Sequence, residues 1–430
     1  MQHLWWTNVI IHWIWKRIGG QMKNLIGGKF VDASNGEKAD VINPATNELI
    51  DTVPLATEED VDLCVKEAAK AQKGWAKMPL HERGDILYKF ADLVEANHEE
   101  LAQLLSKETG KPIKEARTEI SNTKHFIHGY VEKAKHDYGN VIPAGSEVGQ
   151  EKTMQITVQQ PLGVVACIIP FNFPCDLFGQ KVPSALIMGN SVIVKPSTDN
   201  PLTLHRYCEL LKDAGVPDGV INCISGRGSV TGNALAKHPQ VALISVTGST
   251  EVGAEVMANA AANITHVMLE LGGNDAFIVM DDADMELTMK ELVWGRLYNT
   301  GQVCCASKRF LVQKGIKDEF IKKAVETLQS LKVAMPQQED ADIGCLINEK
   351  AAINAEEQVR KTLDQGATLV YGGRRNGAFF EPTIIDNVTK DMDVMKDMEI
   401  FAPVIPVCTF DTLDEALEIA NQSKFGLCGN

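Results

Sequence analysis

Residues 267–309 have the sequence VMLELGGNDAFIVMDDADMELTMKELVWGRLYNTGQVCCASKR, and the rest of the chain is organised around this stretch. Near its start Glu270 leaves an apolar segment at the Gly272–Gly273 corner, and its end carries two adjacent thiols, Cys304 and Cys305. Such a corner allows a carboxylate to approach a cysteine that is distant in sequence. Partial burial of the carboxylate would raise its pKa toward the range of a general base. The stretch therefore predicts thiol-based catalysis.

Two motifs in this stretch resemble the active-site signatures of the aldehyde dehydrogenase superfamily. They are residues 269–273, LELGG, and residues 301–304, GQVC. The separation of glutamate and cysteine matches as well, and family-like segments extend from Leu25 to Leu427. The resemblance implies an α/β fold with a Rossmann-type nucleotide-binding lobe, an α/β catalytic lobe and a protruding hairpin.

The resemblance also implies domain boundaries. Residues 22–138 and 160–269 would form the NAD(P)-binding domain, residues 139–159 the oligomerisation hairpin, and residues 270–430 the catalytic domain. In the family this hairpin pairs with a neighbouring subunit, which protects a sheet edge. We therefore expect a homodimer or homotetramer of the full-length form.

Composition excludes several other classes of protein. A chain of 430 residues with 44% hydrophobic and 23% charged residues is typical of a globular protein with two large lobes. The net charge of −15 disfavours nucleic-acid binding, which needs clustered Lys and Arg. The ten cysteines form no C-x-x-C pair, and no His cluster has metal-ligand spacing. This pattern predicts reduced thiols in the cytoplasm and no metal site.

The first 21 residues differ in composition from the rest of the chain. They contain four of the six tryptophans, but their apolar part is too short for a membrane span and is interrupted by Asn8 and His12. A signal peptide would need a charged start and a cleavage site of small residues, and neither is evident in this segment. We expect residues 1–21 to be a non-native or unstructured extension ahead of Met22, with an interfacial anchor as the alternative. No membrane partner is expected.

Hydrophobic periodicity outlines the scaffold helices. Apolar residues at helical spacing predict helices over 58–75 and 79–109. A further helix is expected from the acidic residues around Asp284 to about Tyr298. Continuous apolar runs at 163–170 and 191–194 are typical of buried parallel strands.

The resemblance assigns four catalytic residues. Cys304 would attack the aldehyde carbonyl, and Asn172 would donate to the oxyanion together with the Cys304 N–H. Hydride then passes to the nicotinamide, and Glu270 activates the water that hydrolyses the thioester. Lys181 would line the site and support proton movement. Cys305 is a neighbouring thiol that could resolve an oxidised Cys304.

Cofactor contacts are expected at strand ends and at one later segment. The glycine-rich turn at Gly248 precedes a small-residue helix, where backbone N–H groups can face phosphate. Thr198 stands where many NAD-preferring members have a Glu, so a 2′-phosphate is not repelled and the cofactor is NAD or NADP. The expected cofactor-binding residues are Ile169, Pro170, Phe171, Lys195, Ser197, Thr198, Gly228, Gly248, Ser249, Gly253, Leu271, Glu399 and Phe401.

The resemblance implies that the substrate is a small-molecule aldehyde. Resemblance to the lactaldehyde and succinate-semialdehyde branch favours a small polar one. A CoA-acylating enzyme is an alternative, against which Glu270 argues because those relatives usually lack this base. A catalytically inactive fragment or structural relative is another, against which the catalytic residues argue. Family members continue for several dozen residues beyond Asn430, so we expect a fragment that is insoluble or inactive when expressed alone.

Overall fold

The structure is a computed structural model that describes residues 21–430. The larger of its two main sheets has seven strands. In spatial order these are β11 (His266–Glu270), β10 (Val241–Thr247), β7 (Val164–Ile168), β8 (Ser191–Lys195), β9 (Ile221–Cys223), β1 (Asn24–Ile26) and β2 (Lys29–Val31). The five strands from β11 to β9 are parallel, and β1 and β2 are antiparallel additions. β8 is buried throughout, as its apolar run predicts.

Helices cover both faces of this sheet. They are α1 (Glu58–Trp75), α2 (Leu80–Ala96), α3 (His98–Thr109), α4 (Ile113–Lys135), α5 (Pro174–Ile187), α6 (Leu202–Ala214), α7 (Asn233–Lys237) and α8 (Thr250–Ala260). Alternate strand residues face opposite sides: Val165 and Val192 join one apolar core, and Ala166 and Ile193 join another. Because both faces are buried, the ends of the parallel strands are the part of the sheet open to ligands.

The second sheet has five strands. In spatial order they are β12 (Asp275–Val279), β13 (Ser307–Gln313), β18 (Val404–Phe410), β17 (Thr383–Val388) and β14 (Thr368–Tyr371), of which only β14 is antiparallel to its neighbour. Its helices are α9 (Met285–Leu292), α10 (Lys317–Ser330), α11 (Glu349–Asp364) and α12 (Leu413–Ala420). These two sheets and their helices agree with the α/β fold class predicted from the sequence.

Three strand pairs lie outside the two sheets. They are β3 (Lys38–Ile42) with β4 (Leu49–Pro54), β5 (Asn140–Ile142) with β6 (Gln155–Thr157), and β15 (Arg375–Asn376) with β16 (Phe379–Phe380). The β5–β6 hairpin is exposed along both strands. Val141 keeps 74% and Ile156 62% of its surface exposed, so residues 21–430 leave these apolar side chains largely uncovered.

One helix prediction was wrong in detail. The helix expected over 79–109 is two helices separated at Asn97, whose side-chain amide donates to Leu93 O at 2.7 Å and so ends α2. The helix expected to reach about Tyr298 is α-helical to Leu292 and continues as a π-helical turn over Val293–Leu297. In this turn Arg296 is buried and donates to the carbonyls of Val404 and Ile400, which ties the turn to the second sheet.

Membrane spans and metal clusters are both absent from residues 21–430. None of the helices in this range is long and apolar enough to cross a bilayer. Within the same range, no group of three or more His, Cys, Asp or Glu side chains could hold a metal ion. The interpretation of residues 1–21 lies outside the described residues, apart from Gln21.

Candidate active site

The Gly272–Gly273 corner brings three distant parts of the chain together. A Cβ atom on Gly273 would lie 2.7 Å from the carbonyl oxygen of Cys304, and one on Gly272 would lie 2.5 Å from Oε2 of Glu399. The Gly273 contact is to a backbone atom and leaves no room for a side chain, whereas a side chain at Gly272 would have to displace the Glu399 carboxylate. The two glycines therefore let the end of β11 approach the thiol-bearing turn and Glu399 directly.

The turn before the thiols is strained. Asn299, Thr300 and Gly301 have φ values of 50°, 55° and 77°, and the left-handed region is unfavourable for a β-branched residue such as Thr300. The surroundings hold this conformation: Asn299 N donates to Glu115 Oε2 at 2.8 Å, and Gln302 N donates to Asn299 O at 3.0 Å. The position of Cys304 is thus fixed by the fold.

The two thiols differ in environment. Cys304 is half-buried and Cys305 is exposed. Interaction with the neighbouring thiol, together with burial, raises the pKa of Cys304, and the same interaction lowers the pKa of Cys305 to about 6. Since the two groups share a proton, the first thiolate belongs to the pair rather than to one sulfur. The Lys308 ammonium lowers the pKa of both thiols.

Asn172 reaches the turn that carries these thiols. It follows β7, and its Nδ2 donates to Gln302 O at 3.2 Å, two residues before Cys304. Its own carbonyl accepts from Asn299 Nδ2 at 2.8 Å and from Lys111 Nζ at 2.9 Å. The amide that the sequence predicted for an oxyanion site is therefore held beside the nucleophile turn.

Sequence reasoning missed the charged residues behind Asn172. Lys111 forms a buried ion pair with Glu119, and its ammonium lies 3.9 Å from the centroid of the Phe173 ring. Glu119 also accepts from the backbone N–H of Cys175 at 2.8 Å, at the start of α5. The only local signal is a lysine between Gly110 and Pro112, just after the helix predicted to end at Thr109.

Glu270 and Lys181 lie at the ends of different elements. Glu270 is the last residue of β11 and its carbonyl accepts from Gly248 N at 3.0 Å, but its side chain is exposed. The partial burial expected from the flanking leucines was wrong, because β11 is an edge strand. Lys181 Nζ donates to Ser245 Oγ at 2.8 Å. Burial lowers the pKa of Lys181, while the charge of Glu270 raises it.

Most of the predicted cofactor residues lie at or beyond the carboxyl ends of β7, β8, β9, β10 and β11. Lys195 is buried, and burial lowers its pKa to about 8. Within residues 21–430 its Nζ donates one hydrogen bond, to Pro196 O at 3.1 Å. Ser197 and Thr198 follow it and are half-buried. Ile169, Pro170 and Phe171 extend β7, and Ile169 N donates to Lys195 O at 3.0 Å.

The glycine-rich turns differ from one another. Ser249 caps α8 by accepting from Val252 N, so the helix begins directly after Gly248. Gly253 packs against Leu271, whose Cδ2 would lie 2.7 Å from a Cβ at that position. Gly228 has open space around it, because a Cβ there would meet no heavy atom of the described chain within 4 Å apart from its immediate neighbours.

Glu399 and Phe401 face the same region from the second sheet's side. The Phe401 ring meets the Phe171 ring edge to face, with centroids 6.0 Å apart. Glu399 Oε1 is buried and lies 3.0 Å from Lys308 Nζ without hydrogen-bond geometry, and it accepts no hydrogen bond from residues 21–430. Beyond this ion pair the Glu399 carboxylate keeps acceptor capacity, which fits a ribose hydroxyl of a dinucleotide. The residues present therefore fit NAD(P).

Comparison with known proteins agrees with this geometry. A family model described as "Aldehyde dehydrogenase family" matches residues 30–430. The chain is 39% identical over 414 residues to a D-glyceraldehyde dehydrogenase (NADP(+)) of Picrophilus torridus, covering 94% of this chain and 83% of that protein. It is 38% identical over 408 residues to a mitochondrial succinate-semialdehyde dehydrogenase of Oryza sativa subsp. japonica, covering 94% and 76%.

This chain is also similar to a solved structure. It is that of 3,6-anhydro-L-galactose dehydrogenase in complex with NAP, with a TM-score of 0.92 and 36% identity. The alignment covers 95% of this chain and 86% of that one. Agreement at this level extends across both sheets.

The strained turn gives a prediction about stability. Gly301→Ala should reduce the free energy of unfolding by at least about 1–3 kcal/mol, because a Cβ there would sit 2.5 Å from the carbonyl carbon of Ala402 at an unfavourable φ. Gly315→Ala is the control, since a Cβ there meets nothing of the described chain within 4 Å. Thermal unfolding compares the two. Equal melting temperatures would contradict the prediction.

Proposed function

The chain belongs to the aldehyde dehydrogenase family, and on that premise we propose that it oxidises its substrate through a thiohemiacetal and a thioester on Cys304. It is an NAD(P)-dependent aldehyde dehydrogenase. The observation that carries the assignment of residues is the hydrogen bond from Asn172 Nδ2 to Gln302 O, which puts an amide donor beside the turn that holds Cys304.

The first half of the reaction forms a covalent bond to sulfur. The Cys304 thiolate adds to the carbonyl carbon, and the carbonyl oxygen takes the negative charge. Asn172 Nδ2 and the backbone N–H of Cys304 donate to that oxygen, and a preorganised donor of this kind is worth about 3–4 kcal/mol of barrier. The bound cofactor supplies the acceptor for the hydride that leaves the carbon. The substrate carbonyl carbon is then joined to the Cys304 sulfur in a thioester.

The second half returns the enzyme to its starting state. The Glu270 carboxylate takes a proton from a water molecule as the water oxygen attacks the thioester carbon. The C–S bond breaks, the Cys304 thiolate is released, and the product is a carboxylic acid. The exposure of Glu270 supports this role, since water reaches it directly. Lys181, which lies close enough for its pKa to respond to Glu270, would support proton movement.

Cofactor binding would use the ends of the parallel strands and the Glu399 segment. Lys195 and Ser197 would contact the adenosine ribose, and Glu399 the nicotinamide ribose, with Phe401 packing on the nicotinamide. Thr198 carries no charge that would repel a 2′-phosphate, so both NAD and NADP are admissible. The phosphates would lie near Gly228 and the start of α8, and Ile169, Pro170, Phe171, Gly253 and Leu271 would complete the contacts.

The substrate we propose is a small polar aldehyde, such as lactaldehyde or succinate semialdehyde. The D-glyceraldehyde relative acts on a small hydroxyaldehyde, and the succinate-semialdehyde relative on a small charged one. Polar groups one helical turn beyond Asn172 support this class. Burial raises the pKa of Asp176 to about 7, its Oδ2 accepts from Asn122 at 3.4 Å, and its buried Oδ1 accepts nothing from the described chain.

Assembly and domain roles complete the proposal. Residues 22–138 and 160–269 would bind the cofactor and residues 270–430 would carry the nucleophile. The exposed apolar residues of the β5–β6 hairpin, within 139–159, support pairing with another subunit in a homodimer or homotetramer. Measuring the molar mass in solution, with and without the hairpin, tests this assembly.

One assay separates the remaining alternatives. Purified protein is tested with NAD and NADP against a panel of aldehydes, with and without CoA. We expect a carboxylic acid as product and no requirement for CoA. A strict CoA requirement would favour the acylating class, and no turnover with any aldehyde would favour a non-catalytic relative.

The nucleophile assignment predicts different results for the two thiols. Cys304→Ala should abolish dehydrogenase activity, whereas Cys305→Ala should retain most of it, because only Cys304 occupies the motif position. Steady-state kinetics of both variants, with folding checked by circular dichroism, makes the comparison. Equal losses in two folded proteins would refute the assignment.

The base assignment predicts a kinetic burst. Glu270→Gln should slow deacylation and spare the first hydride transfer, so NAD(P)H about equal to the enzyme concentration should form rapidly before a slow steady state. Stopped-flow absorbance measures the burst. A normal steady-state rate in this variant would rule out Glu270 as the base.

Cofactor preference should depend on residue 198. Thr198→Glu should shift the preference toward NAD, because a carboxylate would accept from the 2′-OH and repel a 2′-phosphate. The ratio of kcat/KM for NADP and NAD measures the shift, and Thr198→Gln controls for size. An unchanged ratio would show that this side chain does not face the ribose.

A further inference from the structure

Lys308 is a buried cation that the proposed mechanism does not use. It lies in β13, four residues after Cys304, and its side chain is 1% exposed. Its Nζ donates to Cys304 O at 2.5 Å and lies 3.0 Å from Glu399 Oε1. The Phe401 ring centroid is 5.7 Å away. One ammonium group thus contacts the nucleophile turn and both residues assigned to the nicotinamide side of the cofactor.

Stability alone gives little reason for this arrangement. Removing an ammonium from water costs several kcal/mol, and a buried ion pair is often no more stabilising than apolar residues of the same volume. Burial accordingly lowers the pKa of Lys308, and the Glu399 carboxylate raises it. A methionine would fill the same space without the desolvation cost. The position of the charge between two functional groups points to a role in the reaction.

We propose that Lys308 is a positioning residue that holds the Cys304 turn and the Glu399 carboxylate together and favours the thiolate form of the nucleophile. This inference rests on the proposed roles of Cys304 and Glu399. Through its hydrogen bond to Cys304 O, Lys308 fixes the peptide that follows the nucleophile. Through Glu399, it orients the acceptor for a ribose hydroxyl.

The charges around the thiols determine in which direction each substitution should change the thiol pKa. The Lys308 ammonium lowers the pKa of Cys304 and of Cys305, whereas Asp275 raises the pKa of Cys305. Lys308 itself is faced by Glu399, Arg296 and Asp275. Removing the cation should therefore raise the thiol pKa, and removing the carboxylate that neutralises it should lower the thiol pKa.

The test measures the thiol directly, with no aldehyde or cofactor present. In a Cys305→Ala background, the rate of iodoacetamide labelling at Cys304 is followed by peptide mass spectrometry across a pH series. Lys308→Met should move the inflection up by about one unit, as expected for loss of one nearby opposite charge. Lys308→Arg should restore most of the original value. Lys314→Met, an exposed lysine just after β13, should change nothing.

Glu399→Gln supplies a second variant with the opposite sign. It should move the inflection of Cys304 labelling down, and that shift should disappear when Lys308→Met is added. This comparison remains informative if Lys308→Met alone unfolds, because Glu399→Gln keeps the lysine. The KM for NAD(P) should rise in Lys308→Met and in Glu399→Gln, with a combined effect smaller than the product of the two.

The outcomes separate this inference from the proposed function. Unchanged labelling in both Lys308→Met and Glu399→Gln, or the same upward shift in Lys308→Arg as in Lys308→Met, would overturn the role of Lys308 while leaving Cys304 as nucleophile. Loss of the proposed function would instead appear as dehydrogenase activity that survives Cys304→Ala.

Discussion

The active site depends on the absence of side chains at Gly272 and Gly273. A methyl group on Gly273 would collide with the backbone carbonyl of Cys304, and one on Gly272 would displace the carboxylate of Glu399, so the glycines let the corner after β11 come this close with Glu399 in place. This contact joins an edge strand of one sheet to the thiol turn beside the other. Glu270 and Cys304, the proposed base and nucleophile, lie on segments that meet near Glu399 because two backbones can touch.

A close approach of backbones does not by itself fix a geometry, and buried charges supply the rest. On one side Lys111, paired with Glu119, donates to the carbonyl of Asn172. On the other, Glu115 accepts from Asn299 N and so holds the first residue of the left-handed turn. Glu115 is buried, and burial raises its pKa to about 7. Groups kept away from water hold their partners in fixed orientations.

The sequence predicted the parts of the structure that local pattern determines. The apolar runs gave β7 and β8, and the two motifs selected Glu270 and Cys304. Pattern was insufficient where a partner lies far along the chain: Lys111 contacts Asn172, 61 positions away, and nothing local distinguishes it from a solvated lysine. The prediction that Glu270 is partly buried was wrong because it too depends on contacts that local sequence does not show. Its leucine neighbours indicate a strand, but not that the strand lies at a sheet edge.

Lys111 and Lys308 hold the surroundings of the Cys304 turn in the same physical way. Each donates to a backbone carbonyl, that of Asn172 or that of Cys304, and each is paired with a carboxylate, which is buried in Glu119 and half-buried in Glu399. A bond to the carbonyl fixes the peptide without engaging the amide or thiol that would meet the substrate. Preorganised dipoles need no reorientation when charge develops, and that is where electrostatic catalysis gains its energy. The desolvation cost of two ammonium groups, like the strain at Thr300, is thus accounted for by the fixed positions of the reacting groups.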